Sequence, residues 1–209
     1  MNDYLDLSGE EIRNFRSRGE ISAKEILLAS EERIAMLNDN LKAIVSKSSP
    51  TALTEADQID KTGDLSGLFG LPVAIKDLND VQGLATTFGS PLFEDNVADE
   101  DDDVVASVRK NSGIIIGKTN VPEHGFGATT TSPIFGACGN PFDPNLSAGA
   151  STGGGAVAVA SGMAVYATGS DFAGSLRTPA AFCGVCGIRP SNGIVATDRR
   201  SLAWSCLLY

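Results

Sequence analysis

Residues 149–190 read GASTGGGAVAVASGMAVYATGSDFAGSLRTPAAFCGVCGIRP, and the order of elements in this stretch decides the fold. Gly155 to Gly162 reads as a helix of small residues that lets its neighbours approach closely. Met163 to Thr168 reads as a strand, and Ser175 to Phe182 opens another helix. Upstream, Pro72 to Ile75 and Gly113 to Gly117 are short apolar runs of the buried-strand kind, with a short helix at Val104 to Lys110 between them. Strands alternating with helices predict an α/β fold, a mixed β-sheet core flanked by helices.

Working back to the N-terminus, residues 8–38 predict two helices. Ser8 with Glu11 and Ser22 with Glu25 form capping-box pairs. Ile26, Leu27, Ile34 and Leu37 give the second helix one apolar face. Ala43 to Ser46 is a short strand candidate. Pro50 opens a third helix that runs to about Ile59 and ends near Gly63. The chain therefore divides into a helical segment, 1–63, and a core segment, 64–201, within one domain, 1–209.

Composition narrows the function classes. Of 209 residues, 42% are hydrophobic and 20% charged, with a net charge of −10. That charge disfavours a direct nucleic-acid partner, which needs a basic face. The run Asp95 to Asp103 (DNVADEDDD) predicts a solvated loop that delivers acidic residues to a helix N-terminus. No apolar run is long enough for a membrane span and no leader pattern is visible. The four cysteines, Cys138, Cys183, Cys186 and Cys206, do not form a dense disulfide framework. They read as buried structural thiols in a cytoplasmic protein. No cofactor or metal is expected, because Cys183 and Cys186 lack a second pair and the chain has one histidine, His124.

That single histidine eliminates several active sites. Gly149-Ala150-Ser151-Thr152-Gly153 matches a nucleophile elbow, but a triad on that fold needs a histidine after the serine, and His124 precedes it. Ser107-Val108-Arg109-Lys110 and Lys61-Thr62-Gly63 match penicillin-recognition motifs in the reverse order. Gly113 to Thr119 misses the P-loop spacing at Ser112. A serine nucleophile would then need a lysine base, with its pKa lowered by burial. Lys76, at the end of an apolar strand, is the best placed. Ser151 and Ser175 are the glycine-flanked serines, and composition alone does not choose between an oxyanion-hole setting and two ordinary glycine turns.

Residues 149–190 also carry a resemblance. Two serines in a glycine-rich stretch, then Gly169-Ser170-Asp171, Gly174-Ser175, Arg177, Pro179, Phe182-Cys183-Gly184 and Arg189-Pro190 resemble the amidase signature hydrolases. Leu71 to Asp77, Gly117 to Glu123 and Asn140 to Pro144 are similar to further segments of that family. The resemblance implies an amidase that cleaves a carboxylic amide to carboxylate plus ammonia or amine through an acyl-enzyme. It implies Ser175 as nucleophile, Ser151 with a cis peptide bond as the middle member, and Lys76 as the base. The amides of Phe172, Ala173, Gly174 and Ser175 would form the oxyanion hole, with Asp171 and Arg177 supporting the loop. It implies a small-molecule amide substrate. An A-type subunit of an aminoacyl-tRNA amidotransferase, with partner subunits, is the alternative.

The sequence departs from the family pattern in places. Ala173 stands where glycine is usual; if that position needs φ > 0, alanine costs of order 1 kcal/mol. Ala150, Thr152 and Gly155 replace a glycine and two serines. Leu202 to Ser205 still looks family-like, whereas Cys206 to Tyr209 reads as a truncation or lost frame. A shortened, catalytically impaired member, its open face covered by a second copy or a partner subunit, is a further expectation.

Overall fold

β1 (Pro72–Lys76) lies at the centre of the computed structural model, which describes residues 4–191 and 193–195. Every residue of β1 is buried. It pairs in parallel with β2 (Ile114–Thr119) on one side and β5 (Tyr166–Ala167) on the other. An antiparallel pair, β3 (Thr131–Ser132) and β4 (Gly136–Ala137), forms separately. The predicted strand at Ala43 to Ser46 is a chain segment laid against β2. Ile44 bridges Thr119 in the antiparallel sense, and Val45 N–H donates to the Lys118 carbonyl at 2.8 Å. The predicted strand from Met163 shortens, because the amides of Met163 and Ala164 both go to the Ala158 carbonyl at the end of the preceding helix.

The helices are α1 (Gly9–Ser17), α2 (Ala23–Leu41), α3 (Ala52–Thr62), α4 (Asp103–Lys110), α5 (Gly153–Ala160) and α6 (Arg177–Cys183). Both capping boxes, Ser8–Glu11 and Ser22–Glu25, are formed. Alternation along the strands then sorts the core. Ala74, Ile114 and Ile116 pack with Leu27, Ala56 and Val157 on the side of α2, α3 and α5. Val73, Ile75 and Ile115 pack with Val81, Leu84 and Val105 on the side of α4. Lys76 has the same parity as Ala74, and so points towards the N-terminal end of α5.

Two expectations need correction. The acidic run is not simply solvated. Asp102 accepts from Asn79 Nδ2 and Asp80 N, at 2.9 and 3.0 Å, and makes no side-chain cap to α4; Asp101 accepts from Gln82 N and Arg109 Nε. The loop ties down the 79–82 turn. Among the thiols, Cys138 and Cys183 are buried, but Cys186 is exposed because the chain leaves α6 at Gly184. The expectations for Leu202 to Tyr209, including Cys206, lie outside the described residues.

α5 sits so close to the sheet that adjacent glycines have different requirements. A Cβ on Gly154 would lie 2.4 Å from Asn120 N and 2.7 Å from the Ala43 carbonyl oxygen, both backbone atoms. A Cβ on Gly155 would meet Thr152 Cγ2 and Ala167 Cβ, at 3.1 and 3.2 Å, and the Thr168 carbonyl oxygen at an ordinary 3.6 Å. Gly154→Ala should therefore cost about 3 kcal/mol in urea denaturation, whereas Gly155→Ala should stay within about 1 kcal/mol of the parent, helped by helix propensity.

Candidate active site

The Lys76 side chain is fully buried, and among the described residues its amine meets hydroxyls alone. Nζ lies 2.8 Å from Ser151 Oγ, 2.8 Å from Thr152 Oγ1 and 2.9 Å from Ser170 Oγ. An ammonium has three N–H donors, and here each has one acceptor. A hydroxyl can also donate, so the same cage satisfies the neutral amine once a hydroxyl turns towards its lone pair. Burial lowers the Lys76 pKa to about 7, with the negative charge of Asp171 acting in the opposite direction.

The second buried lysine shows what this arrangement lacks. Lys118 Nζ lies 2.9 Å from an Asp77 carboxylate oxygen and donates to Thr86 Oγ1 at 2.9 Å. Thr87 N–H and hydroxyl also donate to Asp77. Burial lowers the Lys118 pKa too, and the carboxylate pulls it back. Adjacent residues at the end of β1 thus serve two different sites: Asp77 closes an ion pair, and Lys76 does not.

The loop before α5 delivers Ser151. Gly149 has φ 76°, the Ala150–Ser151 peptide is cis, and Ser151 is buried. Thr130 holds both flanks, donating its hydroxyl to the Gly149 carbonyl at 2.8 Å and accepting from Gly153 N–H at 3.2 Å. Ser175 arrives from the loop before α6. Thr152 N–H donates to the Ser175 carbonyl at 3.1 Å, which pins the two loops together.

The buried Asp171 carboxylate organises that second loop. One oxygen accepts from Gly174 N and Arg177 Nη2, at 2.8 and 2.9 Å. The other accepts from Leu176 N, Arg177 N and Arg177 Nε. The Arg177 hydrogen bonds and these amides hold its carboxyl well below the usual range. The positive φ of 108° falls on Gly174, and Ala173 is not among the left-handed residues, so the strain expected at Ala173 does not arise. Gly174 N–H is occupied by Asp171. Those of Phe172, Ala173 and Ser175 have no acceptor among the described residues.

Lys76, Ser151 and Ser175 thus come from three separate segments to one place. Ser151 and Ser175 line a cavity of about 500 Å³, together with Leu78, His124, Phe126 and Phe172. No hydrogen bond links the hydroxyl of Ser175 to a described residue. Sequence reasoning gave no role to Ser170, Thr152 or Thr130. The only signal was the density of Ser and Thr around the glycines, and hydroxyls are common in turns for other reasons.

Residues 25–203 match the Amidase family model. The chain belongs to the amidase family. It is 39% identical over 181 residues to the A-type subunit of the glutamyl-tRNA(Gln) amidotransferase of Chromohalobacter salexigens, a match covering 85% of this chain and 37% of that one. Among solved structures it is similar to a bacterial aryl acylamidase of the amidase signature family, with 30% identity, a TM-score of 0.82, and 88% of this chain and 39% of that one covered. It is also similar to a protein described with the vestigial complex behind an s-triazine catabolic enzyme, with 31% identity and a TM-score of 0.84, covering 88% and 41% of the two chains. The amidase-family chain thus spans about two fifths of the length of these relatives. Among the described residues, no helix is long and apolar enough to cross a membrane.

Because five hydrogen bonds to the 174–177 segment end on one carboxylate, Asp171→Asn should loosen it selectively. Hydrogen exchange at the Gly174, Leu176 and Arg177 amides should speed up by about tenfold or more, while β1 and β2 amides keep the protection of the parent.

Proposed function

We propose that this chain carries the nucleophilic machinery of an amide hydrolase. Ser175 is the nucleophile, Ser151 the relay and Lys76 the base. The observation behind this reading is a fully buried lysine that contacts Ser151 Oγ at 2.8 Å and, among the described residues, has no carboxylate in contact. Such an amine can be neutral near physiological pH and accept a proton.

Neutral Lys76 takes the Ser151 hydroxyl proton as Ser151 takes that of Ser175. Ser175 Oγ bonds to the amide carbon, and the carbonyl π electrons move to oxygen. The free amides of Phe172, Ala173 and Ser175 stabilise that oxyanion; Gly174 contributes through its φ of 108°, which turns the loop, while its N–H stays with Asp171. The proton returns through Ser151 to the leaving nitrogen, the C–N bond breaks, and an ester to Ser175 remains. Water, deprotonated along the same path, hydrolyses the ester to carboxylate and free Ser175. For Ser151 to bridge Lys76 and Ser175, the Ser175 hydroxyl rotates towards it within the shared cavity. Asp171 and Arg177 act as supports of the loop. No cofactor or metal enters this scheme. A cytoplasmic setting suits the three free thiols among the described residues.

The identity to A-type amidotransferase subunits favours a second reading, in which glutamine is the amide and partner subunits cover the open face and use the ammonia. Glutaminase activity and co-purification with a second protein distinguish it from hydrolysis of simple aryl or alkyl amides by this chain, alone or as a homodimer.

Ser175→Ala should lower amide hydrolysis by about 10⁴-fold or more without changing the melting profile; unchanged turnover would overturn the assignment. The neutral form of Lys76 is the active one, and its fraction grows as pH rises through about 7. The kcat/KM profile should therefore fall on the acid side with an apparent pKa near 7, and Lys76→Met should abolish the activity that shows this limb.

A further inference from the structure

The proposed chemistry makes no use of the chain's single histidine. His124 is an exposed residue on the wall of the cavity that holds Ser151 and Ser175. Its neighbour Gly125 passes so close that a Cβ there would lie 3.8 Å from Ser151 Oγ. His124 has φ 54° and ψ 17°, a left-handed conformation that a non-glycine residue adopts at a cost. Its N–H donates to the carbonyl of Phe88 at 2.7 Å, and Phe88 is itself left-handed at φ 53°. One backbone hydrogen bond thus joins two left-handed residues, of which His124 lines the cavity.

The imidazole ring packs against two aromatic side chains. It stacks on Phe88 with centroids 6.5 Å apart and meets Phe93 edge-on at 5.9 Å. Among the described residues, neither ring nitrogen has a hydrogen-bond or ion-pair partner. Leu78, Phe126, Ala128, Phe172 and Ala173 form the apolar part of the lining, and Ser151, Ser170, Ser175 and Thr178 add hydroxyl groups to it. Among the described residues that line the cavity, His124 is the one titratable side chain. A ring nitrogen set among apolar side chains gives orientation and selectivity to whatever binds there.

We propose that His124 is the specificity residue of this site, and that it selects amides whose apolar body carries a carboxylate. The inference rests on the hydrolase reading above and names its substrate class. The ring nitrogen donates to the carboxylate, while Phe126 and Phe172 cover the apolar part. An otherwise identical amide ending in a methyl group leaves that donor unused.

Two alkyl fluorophosphonates of equal chain length, one ending in methyl and one in carboxylate, test this on the full chain. In labelling, Ser175 Oγ bonds to phosphorus, fluoride leaves, and the serine proton passes to the base; the labelled residue is mapped by mass spectrometry. The ratio of labelling rates, carboxylate over methyl, is compared in the parent, His124→Phe and His124→Gln. Phenylalanine keeps the ring packing and loses the nitrogens, whereas glutamine keeps a donor. The ratio should fall by about tenfold in His124→Phe and partly recover in His124→Gln. His124→Asn, which tolerates the left-handed backbone but is too short to reach, should show the same fall and serves if the phenylalanine variant does not fold. An unchanged ratio in variants that still label at Ser175 overturns this inference and leaves the hydrolase reading standing. No labelling of Ser175 in the parent overturns the hydrolase reading and this inference with it.

Discussion

A lysine carried into a protein interior ordinarily pairs with a carboxylate or gives up its proton, because an unpaired charge cannot be buried cheaply. At Lys76 the second course is open. Its amine is enclosed by the hydroxyls of Ser151, Thr152 and Ser170, which can accept from an ammonium or donate to an amine. A carboxylate in that place would fix the charged state. A wholly apolar cage would fix the neutral state and leave the N–H groups unsatisfied. Three hydroxyls fix neither, and that is what a proton-accepting group requires.

The fold makes this cage possible. β1 is buried on both faces, so a lysine at its end has no route to solvent. The parity of the strand sends Lys76 towards α5, and the close seating of α5 at Gly154 brings the loop before it, with Ser151 and Thr152, within reach of the amine. One residue further on, the opposite parity sends Asp77 to Lys118. That ion pair ties β1 to β2 at the position where the strand must not slip, since a slip of one residue would exchange the surroundings of Lys76 and Asp77.

Much of this was legible in the sequence. Short apolar runs flanked by glycine marked β1 and β2, and the Ser-x-x-Glu pairs marked the starts of α1 and α2, because these signals depend on nearby residues. Elimination through His124 made a lysine base attractive on residue types alone. Contacts between distant segments were not legible. That Thr130 would grip both flanks of Ser151, or that Asp101 and Asp102 would tie down the 79–82 turn, depends on residues brought together by the fold. Ala173 illustrates the same limit. A family pattern flagged it as a strained position, but the backbone places the left-handed turn one residue later, where a glycine stands.

Asp171 shows how charge is managed around such a buried amine. Its carboxylate field is what raises the Lys76 pKa against burial. Free to move, that carboxylate would be a natural partner for the amine, and an ion pair would return Lys76 to the charged state. Both oxygens are instead occupied by Arg177 and by three backbone amides of the 174–177 segment. Arg177 touches neither serine hydroxyl, but it offsets the charge that would otherwise hold a proton on Lys76. The hydrogen bonds that shape the Ser175 loop thus also keep Asp171 from pairing with the amine, so loop geometry and the protonation of Lys76 depend on the same side chain.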